Sequence, residues 1–500
     1  MNVPTFVLLI LILVTGSPLI YLVGRLGRDR RRGGSPAARW LALIVQLAAW
    51  VPFVMAARDV ASGTVPELTL GMISLVFDGL ALLLAALALV LGTLVTLYST
   101  QYMAGEEGEE KYFAMLTAMI GVMVGLGCAV DLFNLWVWFE TMAITSYLLV
   151  AFYREQPQSL EAGVKYLMQS AIGSVLVLIG IALVLMQTGT LDLREIAASV
   201  TPTPLLLAAG ALFVAGFGVK AALVPLHTWL PDAHSQAPSG ISAMLSGVVI
   251  EAGLIALLRS LGALTALDAP WGAVLMVAGA LNMVIGNLMA LRQKQVKRLL
   301  AFSSLTHMGY MLVGIGAAMH VGLLNGAQGG MFHVLTHGLM KGLAFLAAGA
   351  MLYILHAVHS DHDALLIDDL NGAGSRYPLV AFTLSVALLA LGGLPPLAGF
   401  MSKWQIFVAG FESGDAWLQA LVIFAALNSV LSLGYYAPLI NAMYRKAPSE
   451  AVQQGPAMPV LLSIPLGIMV LGVLALGLWP NLLAWLTEPA GQVLLTAFGG

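Results

Sequence analysis

The sequence predicts an all-α, polytopic membrane protein of about fourteen transmembrane helices. Composition, the recurrence of apolar runs and the sidedness of positive charge each point there. Of 500 residues, 60% are hydrophobic and only 9% are charged, where a soluble protein carries about 25% charged residues. Runs long enough to span a bilayer follow one another from end to end. No water-soluble fold hides that much apolar surface.

The spans are expected at 4–24, 39–57, 71–99, 112–130, 132–153, 164–187, 203–223, 240–262, 271–291, 299–319, 325–356, 378–411, 417–444 and 458–480. The twelfth is too long for one straight helix and contains Gly392, Gly393, Pro395 and Pro396, so it reads as two half-helices. With the N-terminus outside, sixteen of the 22 lysines and arginines fall in or beside cytoplasmic loops and three, Arg58, Arg194 and Arg259, fall outside. The cytoplasmic set includes Arg28, Arg30, Arg31 and Arg32 after the first span and Lys294, Lys297 and Arg298 before the tenth. This bias obeys the positive-inside rule and puts both termini outside. Three lysines remain within spans: Lys220, Lys341 and Lys403.

The arginines follow the first apolar run rather than precede it, so Met1 to Gly24 reads as a retained helix and not a cleavable signal. No linker divides the chain, and 1–500 reads as one membrane domain. The longest polar loop is His356–Arg376, with Asp361, Asp363, Asp368 and Asp369.

The net charge of -3 and the lack of a basic-aromatic segment give no sign of nucleic-acid binding. A single cysteine, Cys128, makes no internal disulfide and by itself holds neither zinc nor an iron–sulfur cluster. No nucleotide-binding glycine motif is present. No cofactor or metal is therefore expected, and redox chemistry coupled to this chain belongs to partner subunits.

Ionisable groups at bilayer depth cost at least about 2.5–3.5 kcal/mol each on the insertion scale, and they mark proton or ion pathways. Glu140, near the middle of the fifth span, is a candidate partner for a buried lysine; a static ion pair is the competing reading. Lys220 precedes a break at Pro225, where freed backbone groups recruit water; the alternative is a lysine reaching to the interface. His333, His337 and Lys341 recur at i, i+4 and i+8, on one helical face over about 12 Å. Such a stripe suits proton relay, against two packed neutral histidines. His333 to His337 lacks the glutamate of a zinc-protease motif. Lys403 follows the break in span 12 and reads as an exit toward the outer side, or as an anchor for its half-helix. Glu251, in span 8, can pair with Lys220 or Lys341. His307 is a candidate link, and Asp78 reads as structural. Spans 7 and 12 both join a Gly/Pro interruption to one buried lysine. They lie five spans apart and so run in opposite directions, the mark of an inverted repeat.

With these residues in place, the chain resembles the antiporter-like subunits of respiratory complex I, membrane-bound hydrogenases and Mrp-type cation/proton antiporters. The stretch from Lys220 to Gly247, with Pro225-Leu226-His227-Thr228-Trp229-Leu230-Pro231-Asp232-Ala233-His234, carries the resemblance. Thr336 to Lys341 and Pro395 to Lys403 support it. The resemblance implies two inverted five-helix repeats, 112–262 and 271–444, around a hydrophilic axis. It implies Glu140 and Lys220 as the first repeat's pair, Lys341 as the second repeat's lysine, and Lys403 on the broken helix. His307, His333 and His337 fall on or near the axis. Many relatives carry lysine where this chain has Glu251; that reversal can tune a pKa, bind a cation or mark altered coupling. The chain ends about twenty residues after span 14, without the long lateral helix of the largest members.

The expected function is proton translocation within a multisubunit pump of the inner (plasma) membrane, alongside other membrane subunits and with no redox site in this chain. The alternatives are a subunit of a sodium/proton antiporter and a structural subunit with an inactive channel.

Overall fold

A computed structural model describes residues 3–27, 34–71, 73–267, 269–359 and 364–499. The expected charges Arg28, Arg30, Arg31, Arg32, Asp361 and Asp363 lie outside the described residues, as does Met1.

The chain opens with α1 (Thr5–Leu26) and α2 (Pro36–Ala61), then a hairpin of β1 (Glu67–Leu70) and β2 (Ile73–Val76). Helices α3 (Gly79–Tyr102), α4 (Glu109–Cys128), α5 (Leu132–Val150) and α6 (Pro157–Thr188) follow, then a short surface helix, α7 (Leu193–Ser199). A break separates α8 (Pro204–Lys220) from α9 (Trp229–Gln236). Next, α10 (Ser239–Met244), a π turn at Leu245–Val249 and α11 (Ile250–Gly262) form one continuous rod. Then come α12 (Trp271–Ala290), α13 (Val296–Val321), α14 (Leu324–His359) and the single turn α15 (Ala373–Arg376). A second break divides α16 (Pro378–Gly392) from α17 (Ala398–Glu412). Last are α18 (Ala416–Arg445), short α19 (Glu450–Gln454), α20 (Val460–Leu478) and α21 (Ala484–Ala497).

Among the described residues, eleven helices are long and apolar enough to cross a membrane. They coincide with expected spans 1–4, 6, 8–11, 13 and 14. The fifth expected span falls on α5, with 19 residues, and the seventh and twelfth fall on the two broken pairs. The protein is a multi-pass membrane protein, helical apart from the short hairpin.

Local chemistry sets the helix starts. Pro157, Pro204 and Pro378 occupy first-turn positions, where a missing N–H costs nothing. Asp78 caps α3 by accepting from the Ala81 amide at 3.0 Å, and Asp131 caps α5 by accepting from Asn134 at 2.7 Å. The Asp78 cap also corrects the expected third span. Residues 73–76 alternate in burial and pair as a strand, and the helix begins only at Gly79. A further departure is α21, which folds back against α3 and α14.

The packing is inside-out relative to a soluble protein. Helices α10–α11, α13 and α14 are buried almost all round, whereas α1 and α6 turn most of their apolar surface outward. The buried rods carry the polar residues, because lipid solvates the outer apolar faces. Glycines set a close crossing between span 8 and α14. A Cβ on Gly338 of α14 would stand 2.6 Å from the Gly247 carbonyl oxygen, so the two backbones touch.

Candidate functional site

The first lysine sits where α8 stops. Beyond it Ala222 has a φ of 55°, and the break leaves backbone groups without helical partners. Asn282 of α12 satisfies two of them: Oδ1 accepts from the Val224 amide at 2.8 Å and Nδ2 donates to the Ala222 carbonyl at 3.1 Å. Trp229 closes the break by donating from Nε1 to the Val219 carbonyl at 2.7 Å. Lys220, 1% exposed, donates to the Tyr166 hydroxyl at 2.6 Å and to Ser146 at 3.1 Å. Its Nζ lies 4.5 Å from the centre of the Tyr166 ring, which stacks at 4.0 Å on Trp229. Among the described residues, no salt bridge joins Lys220 to Glu140, its expected partner. Glu140 sits nearly two turns before Ser146 on α5, and its Oε2 has no protein partner among the described residues. A hydroxyl and an aromatic face therefore solvate Lys220 where a carboxylate was expected.

The touching glycines of span 8 and α14 bring Glu251 to the histidine stripe. Glu251 pairs with neither lysine; its Oε1 lies 2.8 Å from Nδ1 of His337, and both residues are wholly buried. The π turn ends two residues before Glu251, a backbone irregularity often found at functional positions. His307 of α13 lies against both α14 imidazoles, with ring centres 5.2 Å from His337 and 5.3 Å from His333. Nδ1 of His307 is 3.1 Å from Nε2 of His333, and Nδ1 of His333 is 2.8 Å from the Ser402 hydroxyl. Ser402 adjoins Lys403. The chain of groups thus runs Glu251, His337, His307, His333, Ser402, with stacking in place of a hydrogen bond only between His337 and His307. Gly253, two residues past Glu251, packs on the Lys220 backbone, where a Cβ would meet the Ala221 nitrogen at 3.0 Å.

Lys341 is a wholly buried member of the same helical face but bonds away from the histidines. It donates to the Leu300 carbonyl at 2.8 Å and to Ser303 at 2.5 Å, and Ser303 in turn meets the Tyr436 hydroxyl. Lys403 lies under the second break. It donates to the Leu391 carbonyl and to Ser429, both at 2.8 Å, and its Nζ is 4.6 Å from the centre of Tyr310. The Leu391 carbonyl is available because α16 ends one residue later, at Gly392.

One expectation about charge is corrected, and a second loop charge is buried. Lys297, counted among the cytoplasmic loop charges, is 2% exposed and donates to the Ala237 carbonyl, so four lysines are buried rather than three. Arg259, counted outside, is buried and grips Asp78 with two bonds of 2.8 and 3.0 Å. Among the described residues, none of the four buried lysines forms an ion pair; carbonyls and hydroxyls hold all of them.

This architecture has close counterparts. Residues 129–429 match the family described as NADH:quinone oxidoreductase/Mrp antiporter, TM. Residues 68–113 match that described as NADH-Ubiquinone oxidoreductase (complex I), chain 5 N-terminus. The chain is 34% identical to F(420)H(2) dehydrogenase subunit N of Methanosarcina mazei, with 84% of this chain and 85% of that protein aligned. It is 32% identical to NADH-quinone oxidoreductase subunit N 2 of Rhizobium meliloti, over 98% and 97% of the two chains. In structure it resembles a chain of the archaeal membrane-bound sulfane sulfur reductase, with a TM-score of 0.87, 29% identity and coverage of 99% and 98%. A chain of the Mrp complex from Dietzia sp. DQ12-45-1b shares the fold, with a TM-score of 0.85 at 22% identity over the full length of both. The protein belongs to the NADH:quinone oxidoreductase/Mrp antiporter family of membrane subunits.

Proposed function

We propose that this chain carries protons across the membrane as one subunit of a larger redox-driven complex. The observation that carries the reading is the buried series Glu251, His337, His307, His333 and Ser402, ending beside Lys403. Imidazoles pass protons because one nitrogen accepts while the other donates. Lys220 receives the proton near the cytoplasmic face. Lys341 holds charge beside the histidine face, and Lys403 releases the proton toward the outer side. Glu140 acts on Lys220 at a distance through the field of its carboxylate. The two breaks mark two inverted repeats, 112–262 and 271–444, within fourteen spans, and the complex sits in the inner (plasma) membrane with both termini outside. The relatives' names, an F(420)H(2) dehydrogenase and an NADH-quinone oxidoreductase, support redox chemistry in partner subunits as the drive.

The test is proton pumping by the assembled complex in vesicles. Lys220→Ala and Lys403→Ala are each expected to slow pumping by on the order of 10²-fold, the usual effect of deleting a positioned proton-transfer group. Wild-type rates in both, with normal assembly, would leave a structural subunit as the reading. Proton exchange that requires sodium would instead make it part of an antiporter.

A further inference from the structure

Resting on that relay, we propose that Lys297 and His234 form a second proton inlet, which feeds Lys341 without passing through Lys220. Lys297 stands in the first turn of α13, at the membrane face that carries Arg154, Lys165 and Arg298. Its neighbour Arg298 turns outward to Asp232 at 2.5 Å, while Lys297 turns in. It lines a cleft of about 40 Å³ between helix ends, together with Tyr102, Tyr153 and His356. That volume admits a few water molecules. The Lys297 ammonium donates to the carbonyl of Ala237, three residues beyond His234.

His234 is wholly buried, and neither ring nitrogen has a protein partner among the described residues. Its imidazole lies flat on Phe345, with ring centres 4.7 Å apart and planes 11° apart. Phe345 is one turn from Lys341 on α14. From the other side, Lys341 donates to the Leu300 carbonyl, which lies one turn along α13 from Lys297. The α13 link sets the two lysines near each other, and His234 is joined to the Lys297 side through the Ala237 turn and to the Lys341 side through Phe345. Its ring offers an acceptor and a donor there that no other residue uses. The Lys297 ammonium gives a proton to one imidazole nitrogen, the proton on the other nitrogen leaves toward a neutral Lys341, and the Lys297 amine is reprotonated from the cleft. One proton is moved, and a flip of the imidazole ring returns His234 to its starting tautomer.

The competing role for Lys297 is a strut that holds the Ala237 turn. Glutamine and arginine both keep a donor for that carbonyl, but neither takes up and releases a proton at working pH. The complex carrying each variant is reconstituted in vesicles, and initial pumping is read against its native turnover and its assembly. Lys297→Gln and Lys297→Arg are both expected to assemble and to pump more slowly. Lys220→Ala is expected to retain a residual rate that falls about tenfold further when His234→Gln is added. Wild-type pumping in both Lys297 variants, or equal rates in Lys220→Ala and the double variant, overturns the inlet. If the double variant does not assemble, the Lys297 pair decides. Lys341→Ala separates the two ideas. Lost pumping there with silent inlet variants removes the inlet alone, wild-type pumping in Lys341→Ala also removes the inlet, and wild-type pumping in Lys403→Ala removes the relay on which it rests.

Discussion

Nδ1 of His337 lies 2.8 Å from Oε1 of Glu251, and neither the second oxygen of Glu251 nor Nε2 of His337 has another protein partner among the described residues. An acid and an imidazole this close are joined by a hydrogen bond, and the face of the His337 ring stacks on His307. Glu251→Gln preserves a hydrogen bond to His337 and removes the acid. It is expected to change stability by less than about 1 kcal/mol and to slow pumping by on the order of 10²-fold. Thermal melts and vesicle acidification of the same preparation measure the two effects. Unchanged pumping would exclude Glu251 from the route.

Tyr166 sets the environment of Lys220. Tyr166→Phe keeps the ring stacked on Trp229 and loses only the hydroxyl at 2.6 Å from the ammonium. A hydrogen bond to a charged group is worth about 1.5–3 kcal/mol, so the variant is expected to melt earlier by that equivalent. A lysine less able to stay protonated also predicts slower uptake. A Lys220→Met, Tyr166→Phe double variant tests the coupling. With no ammonium present, loss of the hydroxyl should have little further effect on melting.

What the sequence revealed, and what it hid, follows from how each residue is recognised. Lys220, Lys341 and Lys403 stood out because each interrupts an apolar run, and the bilayer makes such interruptions costly. Lys297 did not, because it lies beside Lys294 and Arg298 at a helix start. Only the packing of α13 turns 297 inward and 298 outward. The stripe of His333 and His337 was readable from helical period alone. That His307 fills the space between them depends on how α13 crosses α14. Tyr166, Ser146 and Ser402 belong to residue types too common to signal anything without a partner in space. The hairpin at 67–76 was hidden because an apolar stretch ahead of a span reads as part of it.

The crossing of span 8 over α14 depends on two glycines. Gly338→Ala would bring a methyl group to 2.6 Å from a backbone oxygen, whereas a methyl group on Gly472 of α20 would meet nothing within 4 Å. Gly338→Ala is expected to destabilise by about 1–3 kcal/mol through overpacking, and to weaken the Glu251–His337 contact. Gly472→Ala is expected to be neutral or to stabilise by up to about 1 kcal/mol. Melting temperatures of the two variants should move in opposite directions or differ clearly in size. Equal shifts would show that the helices separate easily at this crossing.

Asp131, in the link between α4 and α5, gives a pH-dependent test away from the membrane interior. Burial pushes its carboxyl above the ordinary range, against the lowering effect of the amides of Asn134 and Ser74, and nearby Asp192 adds to the rise. A folded state that raises an acid's pKa binds the proton more tightly than the unfolded chain does. That contribution to stability is present in full below the unfolded value and is lost as pH rises through the folded value. At neutral pH the charged Asp131 therefore opposes folding slightly. Asp131→Asn keeps a helix cap of equal quality and removes the charge. The variant is expected to melt about 1–2 °C higher than wild type at pH 7, with the gap closing as pH falls toward 4. Paired melts at the two pH values measure it; a gap that widened in acid would mean that the charged carboxylate holds the α5 cap in place.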